Sequence, residues 1–396
     1  MSELSYLEKL MDGVEVEWKA VGDIAGYSTT KVDADKLDAT SFVGVDNLLA
    51  DKGGRIDATY QPNTARLTAY EPGDILLGNI RPYLKKVWMA ENNGGCSGDV
   101  LAIRILADCK KIISPEYLYY ALSSDSFFSY SMQHAKGAKM PRGSKDAILN
   151  YQIPIPCPSA PEKSLAIQSE IVRILDTFTA LTAELTAELT AELNMRKKQY
   201  NYYRDQLLSF KEGEVEWKTL GEVAVIGTGN HDTQDAIEHG KYIFYARGRE
   251  PLKLNVFDFD ETAIITAGDG AGVGKVFHYA KGKYALHQRA YRIVPNAFMN
   301  PRFVYHYITA YFFTYIQKAS VSSSVTSLRR PMFLKFPIPV PPSEEQARIV
   351  EILDKFDTLT NSITEGLPRE IELRQKQYEY YRDLLFSFPK PETVSN

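Results

Sequence analysis

The chain repeats itself at long range, and a duplication restricts the fold more than any local pattern does. EVEWKAVGDIA, from Glu15, returns as EVEWKTLGEVA from Glu214, with 7 of 11 positions identical. IVRILDTFTALT at Ile171 returns as IVEILDKFDTLT at Ile349. RKKQYNYYRDQLLSF at Arg196 returns as RQKQYEYYRDLLFSF at Arg374, identical at 11 of 15 positions. These last two repeats share one offset of 178 residues, so no insertion separates them. Between the shared blocks the halves agree only in outline. ILLGNIRPYLKKV (Ile75 to Val87) stands against IITAGDGAGVGKV (Ile264 to Val276), PEYLYYALSS at Pro115 against PRFVYHYITA at Pro301, and IPIPCP at Ile153 against FPIPVP at Phe336. Each half is therefore a variable globular domain followed by a nearly invariant helix.

From Ser164 to Phe210, apolar residues recur at three and four (Leu165, Ile171, Ile174, Leu175, Phe178, Leu181, Leu185) with no Pro or Gly between them. The spacing predicts one helix of about 45 residues, roughly 70 Å long. Ser343 to Phe388 repeats the pattern, with Gly366 and Pro368 placed to kink or break it. Runs such as DILLG, VLAIRI, AIITA and YRIV predict short strands, and PEYLYYALSS predicts one helix per domain. Neither apolar stripe can face water alone, so the two helices are expected to pair. The fold class is α+β: two repeated domains separated by two long antiparallel helices, a coiled-coil spacer with pseudo-twofold symmetry. The divisions are a junction at 1–13, a first domain at 14–159, a central helix at 160–212, a second domain at 213–342, a distal helix at 343–390 and a tail at 391–396. SYLEKLMDGVEVEW reads as the end of a helix entering its domain, so the C-terminal YYRDLLFSFPKPE is expected to dock beside Met1 to Gly13.

Composition narrows the function classes. With 46 Lys plus Arg against 50 Asp plus Glu, the net charge of -4 argues against a generic nucleic-acid binder, so any such role rests on local patches. Cys96, Cys109 and Cys157 have neither zinc-knuckle spacing nor an even disulfide count, and the six His are scattered. No metal site is expected. The N-terminus lacks a basic start followed by an apolar run, and no stretch approaches the roughly 18 apolar residues of a membrane helix, so a cytoplasmic protein is expected.

The tetrapeptide TAEL is written three times, from Thr182 to Leu193. Each copy adds ~6 Å to a helix and turns it by a net ~40°. One DNA base pair adds about 3.4 Å and about 34 to 36°. Counting in fours thus rotates a distal domain by nearly the twist of one base pair, which suits an adjustable spacer between two DNA-reading heads.

Taken together, the duplicated domains, the IPIP-type exits, the IV-x-ILD-x-F and R-x-KQY-x-YYRD blocks and the TAEL array resemble the specificity subunit of type I restriction-modification systems, and the shared blocks look most like its IC subfamily. The resemblance covers essentially the whole chain. It implies that each domain reads one half of a split target, and that three TAEL copies belong to the longer-gap form. It also implies two modification subunits that carry S-adenosylmethionine and methylate adenine, and two restriction subunits that use ATP and Mg for translocation and cleavage. The chain itself is expected to be non-catalytic and to hold no cofactor. Two other classes were weighed: a stand-alone methyltransferase-like enzyme, and a coiled-coil adaptor without nucleic acid. The first lacks an [NDS]-PP-[YF] motif, since Pro341 and Pro342 precede Ser343. Its Gly-rich loop, GDGAGVGKV from Gly268, departs from a Walker A loop at Asp269, where Gly is needed, and at Val276, where Ser or Thr is needed.

DNA contacts are expected from loops that gather cations and planar polar groups without acids. In the first domain these are Asn79, Arg81, Tyr83, Lys85 and Lys86, with Lys136, Lys139, Arg142 and Lys145. In the second they are Arg247 and Arg249, Lys275, then His287, Gln288 and Arg289, and finally Ser323, Ser324, Arg329 and Arg330. Arg and Asn can read guanine and adenine edges bidentately, while Lys mainly neutralises phosphate. Partner contacts are expected at Tyr200, Tyr202, Tyr203 and Arg204 and at their repeats Tyr378, Tyr380, Tyr381 and Arg382, because Tyr and Arg are enriched at interfaces. A Tyr-rich helix-pair core is the competing reading of that block.

Overall fold

A computed structural model describes residues 14–211, 213–319, 327–362 and 364–388. The expected docking of Met1 to Gly13 and the tail at 391–396 lie outside the described residues. The chain forms two compact units, one of Met1–Glu188 with Ile371–Asn396 and the other of Leu189–Glu370.

In the first unit, strands Ala25–Tyr27, Val100–Ile105, Ile75–Gly78 and Val87–Met89 form an antiparallel sheet in that order. Ile75 and Leu77 enter the main core, while Leu76 enters a smaller one on the opposite face. Because strand side chains alternate, a sheet covered on both sides needs the unbroken apolar run seen in DILLG. A second four-stranded sheet is ordered Lys31–Asp33, Arg66–Tyr70, Gly94–Cys96, Phe42–Val43. A ribbon of Val16–Ala20 against Gln152–Pro156 sets Trp18 opposite Pro154. Besides the one-turn helix Val21–Ile24, this domain carries Pro115–Leu122, Asp125–Gln133 and Lys145–Asn150, where one helix was expected. Ser114, Ser124 and Ser144 each accept the N–H three residues on, so the serines that look like loop residues are helix caps.

The second unit has a six-stranded sheet ordered Ala224–Thr228, Ala290–Pro295, Phe259–Ala267, Phe277–Leu286, Tyr242–Tyr245, Leu252–Leu254. A ribbon of Glu216–Thr219 against Pro337–Val340 sets Trp217 opposite Pro339. The helix Pro301–Ala319 covers the sheet, and the short Arg330–Leu334 follows it.

The central helix runs from Pro161 to Leu207 and contributes to both units. The distal helix is broken, as Gly366 and Pro368 led us to expect, into Ser343–Asn361 and Leu367–Leu385. Within each unit one set of contacts ties helix to domain. Gln168 Oε1 accepts the Ser114 N–H at 3.0 Å and its Nε2 donates to the Ile112 carbonyl at 2.7 Å. Gln346, the repeat of Gln168, accepts the Asn300 N–H at 2.7 Å and donates to the Phe298 carbonyl at 3.2 Å. Asp176 accepts the Tyr120 hydroxyl at 2.6 Å, and its repeat Asp354 accepts from His306 and Arg302, at 2.7 and 2.6 Å. Phe178 stacks on Tyr381 at 5.6 Å in the first unit, and Tyr203 stacks on Phe356 at 5.6 Å in the second. With an offset of 178, these two stacks are the same residue pair with the helices exchanged. That exchange carries the sequence duplication into side-chain contacts.

Candidate nucleic-acid interface

Each domain has a junction, its tip, where three segments meet, and the hydrogen bonds match. In the first, the Asn79 N–H donates to the Asp99 carbonyl at 2.8 Å, and the Asn79 carbonyl accepts the Gly143 N–H at 3.0 Å. In the second, the Gly268 N–H donates to the Arg289 carbonyl at 2.8 Å, and the Gly268 carbonyl accepts the Leu328 N–H at 2.7 Å. Bridges at Ile80–Arg142 and Asp269–Ser327 continue the match. The loop after one strand, the residue before its neighbour and a later segment thus form one junction, built twice.

The sequence-chosen loops meet at these tips. In the first domain Arg81, Tyr83, Lys136, Lys139, Arg142 and Lys145 are exposed. The Arg81 N–H donates to the Pro141 carbonyl at 2.7 Å, which joins the two loops, and the Lys145 ammonium lies 5.8 Å from the Tyr27 ring centre. Three residues fall elsewhere. Asn79 is buried, its Oδ1 facing Gly143 without a partner among the described residues, so its backbone rather than its amide builds the tip. Lys85 is turned into the unit, 2.8 Å from Asp125 and 3.9 Å from Glu379. Lys86 donates to the Val45 carbonyl at 2.8 Å.

In the second domain Arg249, Lys275, Gln288, Arg289, Arg329 and Arg330 are exposed and Arg247 is half-buried. Lys275 lies over Phe313 at 5.0 Å, and Gln288 donates to Asp232 at 3.0 Å. Ser323 and Ser324 lie outside the described residues. A cleft of 660 Å³ opens beside Arg247, Arg249, Gly270 and Lys275. His287 is a support and not a surface group: it is buried, and its Nδ1 accepts the Arg289 N–H at 2.9 Å. Burial, then the charge of Arg247, pushes its pKa down, so the ring is neutral at pH 7. The Gly-rich loop joins two strands, Phe259–Ala267 and Phe277–Leu286, and so has no helix N-terminus to hold a nucleotide phosphate.

The basic loops, expected to gather cations without acids, meet carboxylates in space. Arg142 pairs with Asp99 at 2.7 Å, while Arg247 and Arg289 share Asp269, each at 3.0 Å. Sequence reasoning passed over these aspartates, noting Asp269 only as a defect in a Walker motif. Asp269 stands inside the Gly-rich loop and was visible there, whereas Asp99 stands in CSGDVLA, apart from any basic loop, and carried no sequence signal.

The tyrosine block divides in two. Tyr200, Tyr378 and Tyr381 meet the other helix, and Tyr203 stacks one face on Phe356 while staying 45% exposed. Arg382 is fully buried in its own unit, 3.3 Å from Asp125, which removes it from any partner surface. Arg204 pairs with Asp205 at 2.8 Å. Tyr202 and Tyr380, which are repeats of each other, stay 62% and 63% exposed.

Two similar domains with a repeated basic tip, joined through one long helix, define a paired recognition protein. The profile of the type I restriction modification DNA specificity domain matches residues 72–195 and 212–373. The chain belongs to the specificity subunits of type I restriction-modification systems, which supply sequence specificity while catalysis sits on other subunits. It is 43% identical to the EcoR124I/EcoR124II specificity subunit of Escherichia coli, covering 100% of both chains. It is 37% identical to the EcoprrI specificity subunit of the same organism, over 92% of this chain and 93% of the other. A chain from a solved type I R-M system, described for complex assembly and conformational transition, shares the fold with a TM-score of 0.63 at 18% identity, over 94% of this chain and 97% of that one. Among the described residues no helix is long and apolar enough to cross a membrane.

Proposed function

We propose that each domain reads one half of an asymmetric split duplex target and that the central helix sets the unspecified gap. The observation that carries this is the repeated tip, where basic loops far apart in sequence converge at equivalent places in both domains. The TAEL array supports the spacer role. No residue from Thr182 to Leu193 is buried, so adding or removing four residues disturbs no packed core. Exposed Tyr202 and Tyr380, related by the repeat, suit two copies of one partner. Those partners are two modification subunits carrying S-adenosylmethionine, to which two restriction subunits using ATP and Mg add, and the assembly works in the cytoplasm.

The test is to map methylated bases by long-read sequencing in cells carrying the chain with its modification partner, against cells lacking the chain. Methylated adenines in one split motif, lost with the chain, are the expected result; identical methylation in both overturns the reading. Deleting Thr182–Leu185 is expected to shorten the gap and leave both half-sites unchanged, and an altered half-site counts against the spacer.

A further inference from the structure

At the second tip a single carboxylate serves two arginines. Arg247 Nη1 donates to Asp269 Oδ1 and Arg289 Nη1 to Oδ2, each at 3.0 Å. Each guanidinium spends one nitrogen on Asp269, and among the described residues no other side chain takes its remaining donors. The Arg289 side chain stays 64% exposed and that of Arg247 40%, so both present free N–H groups outward. The Arg289 backbone is held from beneath by His287 and across the tip by Gly268. A freely rotating surface arginine loses much side-chain entropy when it docks, whereas a fixed fork has lost it already. The shared carboxylate also cancels one of the two charges, which weakens indiscriminate phosphate attraction relative to shape-matched hydrogen bonding. Burial opposes ionisation of Asp269, but the hydrogen bonds from Arg247 and Arg289 outweigh it and hold the carboxyl below its usual range.

The first tip carries the same chemistry with its positions shifted by one segment. There the carboxylate, Asp99, stands where Arg289 stands in the second domain, and Arg142 comes from the third segment, 2.7 Å away and 58% exposed. A common task with different targets requires such a pattern: the pair is kept at the tip, and its direction is changed.

Resting on the function proposed above, we propose that Asp269 positions Arg247 and Arg289 as a rigid pair that reads a guanine in the second half-site, and that Arg142, steadied by Asp99, reads one in the first. Arginine forks match the O6 and N7 acceptors of guanine in the major groove with a fixed planar geometry, which a lysine ammonium on its flexible stem does not hold.

The experiment uses the chain assembled with its modification subunits and reads the methylated motif together with binding to duplexes in which single G·C pairs of the target are replaced. Arg289→Lys keeps the charge and loses the fork; Asp269→Asn keeps both arginines but leaves them one neutral acceptor oxygen instead of a shared carboxylate. In each variant, discrimination at one G·C pair of the second half-site is expected to fall roughly 5- to 150-fold, with the first half-site strict. Arg142→Lys is expected to do the converse. A half-site without any G·C pair overturns the assignment for its domain. Full discrimination at every pair in Arg289→Lys overturns it too, including where Arg289→Gln abolishes binding, because charge alone then suffices. A wild-type chain that directs no split motif sinks the proposed function instead, so the two failures are distinguishable.

Discussion

Gln346 shows how a single buried side chain ties a long helix to a domain. Its own side chain is buried, it satisfies one backbone N–H and two carbonyls, and leucine in its place deprives all three of that partner, the Pro341 carbonyl in a buried setting. An unsatisfied buried group costs about 1–3 kcal/mol, so Gln346→Leu is expected to lower the unfolding free energy of the second unit by at least that much, read by urea denaturation. A change below the error of the fit removes the role. Asp125 makes a pH-dependent contribution in the first unit, where it meets Lys52, Lys85 and Arg382, with Glu379 and Asp383 alongside. Burial opposes its ionisation, but the hydrogen bonds from Lys85 and Lys52 outweigh it and hold the carboxyl well below the usual range. Its folded pKa thus lies below the unfolded one, so its stabilisation is complete above about pH 4 and is lost as pH falls further. Asp125→Asn is expected to lower the melting temperature at pH 7 and to flatten its decline below pH ~4; equal slopes for variant and parent count against this. Arg382 was legible as a cation in a repeated motif, but not as a buried one, because Asp125 lies far from it in sequence and only packing brings the two together.

At the scale of elements, helix propensity and tertiary fit disagree at Gly366. Alanine is the better helix former, yet Gly366 holds φ at 84° and a Cβ there would come within 2.5 Å of the Thr358 carbonyl. Gly366→Ala is therefore expected to destabilise the chain by about 1 kcal/mol or more, and thermal melting that shows a gain refutes the break as a built feature. The long helix and its broken repeat were readable from spacing, since Pro, Gly and periodicity act locally. The serine caps of the first domain were harder to read, because a serine before a short apolar run also suits a turn. On the helix surface, Tyr202→Ala with Tyr380→Ala is expected to leave the melting temperature unchanged within ~1 °C while weakening capture of the modification subunits more than either change alone. A lowered melting temperature would instead return both residues to the fold.

For the whole molecule, order along the chain already held the plan: two domains, a long helix after the first and its broken repeat after the second, a tetrapeptide array and a set of basic loops. Duplication and periodicity are properties of order along the chain, and they survive without coordinates. Only the tertiary structure decided which of those basic residues face outward. It buried Asn79 and His287, turned Lys85 and Arg382 into an ion cluster, and gave Arg142, Arg247 and Arg289 carboxylate partners from other segments. It also showed that the Phe178–Tyr381 and Tyr203–Phe356 stacks are one contact made twice. The reason is physical: charge and burial are set by neighbours in space, and the neighbours of a loop come from wherever the sheet order brings the chain back.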